Sequence, residues 1–340
     1  MEAFKQVFSV DIAKDSFEAH TGVITTTQQI THIASSRFSN SSSGFKRFLS
    51  WAKKHRRPDA EIWYVMEATG VYYEDLAFYL SNHKQNVAVL QPSRVKHYIQ
   101  STEVKNKTDR IDARMLCKMG LERPLQAWIP PSEQMRRLRA LTRERQNLVE
   151  QAAELSVQRE AVGHQHDPLA ATLRRFEQHR TFLQNQIKEI EKEIHALVKD
   201  DSDLYERVNK IATIKGVGIL TIVTVLAETN GFNQVERVKQ LISYAGLDVV
   251  ERSSGTYIGR RYLSKKGNAR IRRILYMSAL TASRSNTELN IYFRRIKENT
   301  RSGLSALMAV ARKILRLIYA LWRDDATYQT RPSLADTAKA

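Results

Sequence analysis

Leu141, Leu148, Leu155 and Val162 recur every seven residues, and after an interruption Phe176, Leu183, Ile190 and Leu197 do the same. Leu138 and Ala152 fill partner positions in the first run, Ile187 and Ile194 in the second, while Arg145 and Arg159 interrupt the apolar stripe. A seven-residue apolar repeat holds only if the chain is helical and its narrow seam meets another helix. The turn VGHQHDP separates the two runs, so residues 133–200 are predicted to form an antiparallel coiled-coil hairpin, with two helices of an ordinary bundle as the alternative. His164, His166 and Asp167 sit in that turn and are read as solvated, not as metal ligands.

The hairpin divides the chain. Before it the apolar period changes repeatedly. FKQVFSVDI, SFEAHTGVI and QITHIASSRF read as three strands, and SSGFKRFLSWAKKH (42–55) as an amphipathic helix. EIWYVMEAT (61–69) reads as a buried strand, YYEDLAFYLSNHK as a helix, NVAVLQ as a strand and PSRVKHYIQ as a helix with Pro in its first turn. TDRIDARMLCKMGLE (108–122) is a last helix with Thr108 as N-cap. A meander followed by alternating units predicts an α/β domain, a mixed sheet with helices packed on it, over residues 1–125. After the hairpin, residues 201–323 read as mostly helical. FNQVERVKQLISYAG is among these helices, ended by Gly246. Residues 324–340 lack an apolar pattern and read as a loose tail.

Lys and Arg number 54 against 36 Asp and Glu, a net charge of +18. Such a surplus serves either a polyanionic partner or solubility, and nucleic acid leads over a membrane surface because cationic side chains release counterions from phosphates. No run of about 18 apolar residues predicts a membrane span, and no secretory signal pattern opens the chain. The single cysteine, Cys117, excludes an internal disulfide and a multi-cysteine zinc site. It reads as a small apolar helix residue in a reducing compartment.

Four acids in the first domain stand where metal chemistry wants them. Asp11 ends the first strand and Glu67 a central one, both inside apolar runs where an unpaired buried charge is costly. Asp109 and Asp112 are three apart on a helix and share a face. The set predicts a hard-oxygen site for Mg²⁺ or Mn²⁺, although a structural or solvated role suits each acid taken singly. Further on, IKGVG lies between two helices and is similar to a helix-hairpin-helix element. Lys215, Gly216 and Gly218 would bring backbone N–H groups to a phosphate; a plain turn is the alternative. Residues 251–275 carry eight Lys or Arg and one acid. Arg252, Arg260, Arg261, Lys265, Lys266, Arg270 and Arg273 are candidate phosphate contacts. Ser253 and Ser254 stand directly before a glycine among them, and a serine must be activated by a base or metal to attack phosphorus.

Asp11, Glu67 and DRID (109–112), followed by IKGVG, YAGLD, SSG and SKKGNARIRRILY, resemble the DEDD-type insertion-sequence transposases, which include the Piv-type DNA invertases. The resemblance spans roughly residues 5–320. It implies a ribonuclease-H-like (RuvC-like) N-terminal domain in which Asp11, Glu67, Asp109 and Asp112 bind divalent metal. It implies a C-terminal serine nucleophile, which maps to Ser254, with Ser253 the less favoured choice. It also implies donor and target DNA as substrates, a structured guide (bridge) RNA, an active site shared within a homodimer or tetramer, and a cytoplasmic, nucleoid-associated setting in a prokaryote. Three activities stay open: a transposase or invertase with a phosphoserine intermediate, a junction-resolving metal endonuclease in which water attacks, and a non-catalytic nucleic-acid-binding protein.

Overall fold

A computed structural model describes residues 3–102, 108–233, 235–251, 253–254, 257–259, 262–285 and 288–329. The chain separates into two compact units, Met1–Pro130 and Pro131–Ala340.

In the first unit β1 (Ala3–Ile12), β2 (Ser16–Thr25) and β3 (Ile30–Ser39) form the expected antiparallel meander. β4 (Glu61–Glu67) pairs parallel to β1 on its other side, and β5 (Val87–Leu90) pairs parallel to β4, giving the order β3-β2-β1-β4-β5. Strand alternation sends successive β1 side chains to opposite faces. Phe8 and Val10 join a core with α1 (Ser42–Lys54) and α2 (Glu74–Asn82), where Phe48, Tyr64, Met66 and Leu76 are fully buried. Phe8 stacks on Tyr64 with ring centroids 5.3 Å apart. Val7, with Val65 and Ala88, faces the opposite core, made by α3 (Pro92–Gln100) and α4 (Asp109–Glu122). Both faces are thus covered, as a sheet with parallel strands requires. Each fully buried aromatic or aliphatic side chain contributes about 1.5–3 kcal/mol. Thr108 caps α4 as its sequence predicts, its hydroxyl accepting from the Ile111 amide. Cys117 is buried on that helix, and burial pushes its thiol up to about 12.

The second unit begins with two long helices, α5 (Glu133–Gly163) and α6 (Ala170–Lys199). They run antiparallel: Gln134 Nε2 donates to the Leu197 carbonyl, Arg145 pairs with Glu191, and Arg159 with Glu177. The two arginines that break the heptads therefore pin the helices together. Leu138, Ile190, Ile194 and Leu197 pack into the core of the second unit, whereas Leu155 and Leu183 are buried farther along the pair. The base of the hairpin is thus continuous with the helical core.

That core is completed by α7 (Ser202–Ala212), α8 (Ile219–Glu228), α9 (Val238–Tyr244), α10 (Ala269–Arg284), α11 (Glu288–Thr300) and α12 (Gly303–Asp324). α9 is shorter than the helix read from FNQVERVKQLISYAG. Asn230, Gly231 and Phe232 take left-handed backbone angles, and Phe232 is buried edge-on against Tyr319, with ring centroids 5.2 Å apart. A turn anchored in the core wins there over the helical period. The basic segment holds local structure that its sequence did not announce. It contains a short ribbon: β6 (Val249–Val250) pairs with β9 (Tyr262–Leu263), and β7 (Ser253–Ser254) with β8 (Tyr257–Ile258). Two-residue strands leave no readable period. At the far end Tyr328 donates its hydroxyl to Glu288, and Lys210 pairs with Asp325. The residues of the expected loose tail from 330 onward lie outside the described residues.

Candidate active site

The parallel register pairs Lys5 with Glu61 and continues residue by residue to Val10 with Met66. Its next step sets Asp11 beside Glu67, on strands about 4.8 Å apart. Both lie at the carboxyl ends of their strands. By alternation with Val7, Ser9 and Val65, both belong to the face covered by α4.

α4 runs back along β1, and three contacts fix its register. Lys5 Nζ donates to the carbonyls of Gly120 and Arg123 at 2.6 and 2.9 Å. Cys117 Sγ donates to the Val7 carbonyl, and Ser9 Oγ to the Ala113 carbonyl at 2.7 Å. Two residues along a strand cover about the same length as four along a helix. The next step therefore sets the first turn of α4, with Asp109 and Asp112, level with Asp11. Gly120 makes the approach possible: a Cβ there would lie 3.1 Å from both Val7 and Val65 side chains.

The surroundings correct one sequence argument. Asp11 and Glu67 are half-buried, Asp112 is half-buried and Asp109 is exposed, so water reaches these groups and burial alone does not demand a cation. Glu67 Oε1 accepts from the Thr69 hydroxyl at 3.2 Å. Among the described residues no group of three or more His, Cys, Asp or Glu stands together as a metal site. The fold brings Asp11 and Glu67 together and sets the α4 acids over them without closing all four into one cluster. As donors, carboxylates alone suit a hard divalent cation.

In the second unit Ser253 pairs with Ile258 and Ser254 with Tyr257, and both serines are exposed. As strand neighbours they point to opposite sides of the ribbon, so one surface approaching it meets one of them. Lys265 and Lys266 are exposed on the loop that follows, as are Arg270 and Arg273 on α10; Arg273 pairs with Glu150. Arg252, Arg260 and Arg261 lie outside the described residues. The loop is tied down. The Asn268 amide donates to the Tyr244 carbonyl at 2.7 Å, and Ser264 Oγ to Asp248 at 2.8 Å. Gly246 and Gly267 both have positive φ, and a Cβ on Gly267 would fall 2.4 Å from the Tyr244 carbonyl oxygen. The YAG and KKG stretches are thus one packed unit.

Gly216 has φ +90°, and a Cβ there would meet the Ala282 amide nitrogen of α10 at 2.7 Å. Helix packing therefore accounts for this glycine. Gly218 opens α8 with free space around it, and Lys215 is exposed.

The sequence reading missed Glu228. Its side chain is 1 % exposed at the end of α8. It accepts two bonds from Arg143 of α5 and one, at 2.7 Å, from Asn268 Nδ2. Asn268 in turn caps α10, accepting from the amides of Arg270 and Ile271, while the Tyr244 hydroxyl donates to the Glu228 carbonyl. Burial works to raise the Glu228 pKa, but the bonds and charges of Arg143, Asn268 and Arg270 outweigh it and hold the carboxyl below its usual value. One buried carboxylate therefore joins the helical hairpin to the loop carrying the lysines. Its signal was available: an acid closing the apolar run ILTIVTVLAE.

Comparison with known proteins places the chain among DNA-recombining proteins by sequence. A family model for IS110-type DEDD transposases, described as "Transposase", matches residues 8–168. A second, "Transposase IS116/IS110/IS902 family", matches residues 208–294. The pilin gene-inverting proteins of Moraxella bovis and Moraxella lacunata are each 26 % identical over 330 residues, covering 96 % of this chain and 98 % of theirs. The transposase of insertion element IS1111A from Coxiella burnetii is 29 % identical over 146 residues, 42 % of this chain and 39 % of that protein.

Proposed function

The chain belongs to the IS116/IS110/IS902 transposase family of DNA recombination enzymes, and from that premise we propose that it cuts and rejoins DNA with Ser254 as nucleophile and Asp11, Glu67, Asp109 and Asp112 as carriers of a divalent cation. The observation that carries this reading is the parallel register of β1 and β4 through Val10 and Met66, whose next step sets Asp11 beside Glu67 at the strand ends, level with the first turn of α4. The strand order β3-β2-β1-β4-β5 supports a ribonuclease-H-like domain over residues 1–125. Mg²⁺ or Mn²⁺ held by these carboxylates would stabilise charge on the phosphate oxygens.

The Ser254 Oγ–P bond forms as the P–O bond to deoxyribose breaks, and the departing sugar oxygen takes up a proton. The serine proton passes to a carboxylate of the acidic set, since RSSGTYIG offers no base. A sugar hydroxyl from another DNA end then displaces the serine and restores the phosphodiester. Lys265 and Lys266, with Arg252, Arg260 and Arg261, neutralise the phosphate during attack, while Lys215 and the Gly218 amide grip backbone phosphates nearby. We read residues 133–200 as a coiled-coil arm joining copies into a dimer or tetramer, with the two halves of the site coming from different copies. A structured guide RNA chooses donor and target DNA, and the basic surface serves both nucleic acids in the cytoplasm.

Inversion of a DNA segment is a second reading. It is favoured by the match along nearly the whole chain to proteins named for inverting the pilin gene. It uses the same chemistry.

The test is the denaturant-stable protein–DNA adduct formed on cognate DNA with Mg²⁺. Ser254→Ala should form none. A full yield from that variant would remove the assignment, and cleavage without any adduct in the native chain would favour the endonuclease.

A further inference from the structure

A groove of about 1370 Å³ opens in the second unit between α10, α11, α12 and the β6–β9 ribbon. Small-molecule sites hold about 300–1,000 Å³, so this one is sized for a length of polymer. Among the described residues, seven Lys or Arg line it and no Asp or Glu does. Arg272 donates to the Ala245 carbonyl, and Arg273 pairs with Glu150. Lys313 and Arg295 are held over the ring of Tyr292, 5.0 and 5.4 Å from its centroid. Tyr292 thus fixes two cations inside the groove before any ligand arrives. Tyr276 forms part of the wall, and Tyr262 stands at the rim, 44 % exposed. Tyr262 lies on β9, the strand that returns from the serine hairpin.

Cations along an apolar trough with aromatic rings between them match the chemistry of an unpaired nucleic-acid strand: phosphates for the cations, base faces for the tyrosines. A duplex buries its base faces and offers these rings no base to stack on. A second copy pressing the same surface here would oppose cation to cation. We propose that the groove holds an unpaired DNA strand, the stretch adjoining the phosphate attacked by the serine of the ribbon. The link to the cut strand rests on the reading of Ser254; the groove's affinity for an unpaired strand does not.

Binding of a labelled oligodeoxythymidine of about 12 nucleotides to the full chain tests this. A duplex and an oligouridine of equal length run in parallel, all without divalent ions and in Ser254→Ala protein. Binding is read as reversible retention without divalent ions, which does not depend on which residue attacks, so failure of the serine assignment leaves the binding result intact. Tyr262→Ala, at an exposed position, should weaken the DNA single strand about tenfold. Lys313→Ala and Arg316→Ala should each lower the salt slope by roughly 0.7, the value for one single-strand phosphate contact. The duplex should change by no more than about twofold. Equal loss for single strand and duplex would overturn the proposal. Tighter, Tyr262-dependent binding of oligouridine would make RNA the occupant and overturn it too. So would unchanged strand binding with loss of self-association in sedimentation, which would make a second copy the occupant.

Discussion

Arg143 of α5 closes on Glu228 of α8 with two hydrogen bonds, Nε to Oε1 at 2.7 Å and Nη2 to Oε2 at 2.9 Å. The residues are 85 positions apart. The same carboxylate holds Asn268, the cap of α10. The pair therefore ties the long hairpin to the loop of Lys265 and Lys266.

Breaking one side of a buried pair strands a charge. Arg143→Ala should lower unfolding free energy by about 3 kcal/mol, the low end for such pairs because the arginine is partly solvated. Adding Glu228→Gln should restore part of that loss, since an amide needs no counter-charge. Denaturant titration of both variants checks this. An equal loss in the single and double variants would show that the charge is not what costs stability.

Acid should weaken the first unit through His20. Burial, then the charges of His32, Arg114 and Arg110, depress its pKa from 6.5 to about 4, and its Nε2 sits 2.9 Å from His32 Nδ1. A proton therefore prefers the unfolded chain. Stability is complete above pH 6.5 and falls by about 1.4 kcal/mol per unit as pH drops toward 4. Glu228, also depressed, adds loss only below its ordinary value of 4.5. Tryptophan fluorescence follows the first unit well, because Trp51, Trp63 and Trp128 lie there and Trp322 does not. His20→Asn should flatten the slope between pH 6.5 and 4.

The two glycines of IKGVG should separate. Gly216→Ala meets the α10 backbone at 2.7 Å and must also hold φ +90°, so it should cost about 2 kcal/mol or more. Gly218→Ala has open space and φ −86°, so thermal stability should hold within about 0.5 kcal/mol. If the Gly218 amide grips phosphate, DNA affinity should fall in that variant alone. Equal melting temperatures for the two variants would contradict the packing account of Gly216.

Asp11 and Glu67 carry like charges side by side, an arrangement that costs a few tenths of a kcal/mol on neighbouring strands. In chelator, Glu67→Gln should therefore melt slightly higher than the native chain. With millimolar Mg²⁺ the order should reverse, because only the native chain gains stability from the ion. DNA binding should survive while adduct formation is lost. A magnesium-independent difference in melting would mean that these acids are structural.

Most elements of the first unit were legible because strands of ten residues and amphipathic helices repeat their period several times. Asp11, Glu67 and the DRID pair were legible because acids at the ends of apolar runs stand out. Their solvent-reached setting, half-buried for Asp11, Glu67 and Asp112 and exposed for Asp109, was not, since burial belongs to the packed fold. Arg145 and Arg159 break the heptad in sequence, and only the packed hairpin sets Glu191 and Glu177 opposite them. The serine ribbon escaped because its strands are two residues long.

The sequence alone determined the order of elements in the first unit, the paired heptad helices and the residue types available for phosphate chemistry, because these follow from local period and charge. Only the tertiary structure decided that Asp11 stands beside Glu67, that Glu228 clamps the basic loop and that the cations of α11 and α12 line one trough. Each of these joins residues distant in sequence, and such neighbours are set by packing and register, which no local pattern encodes.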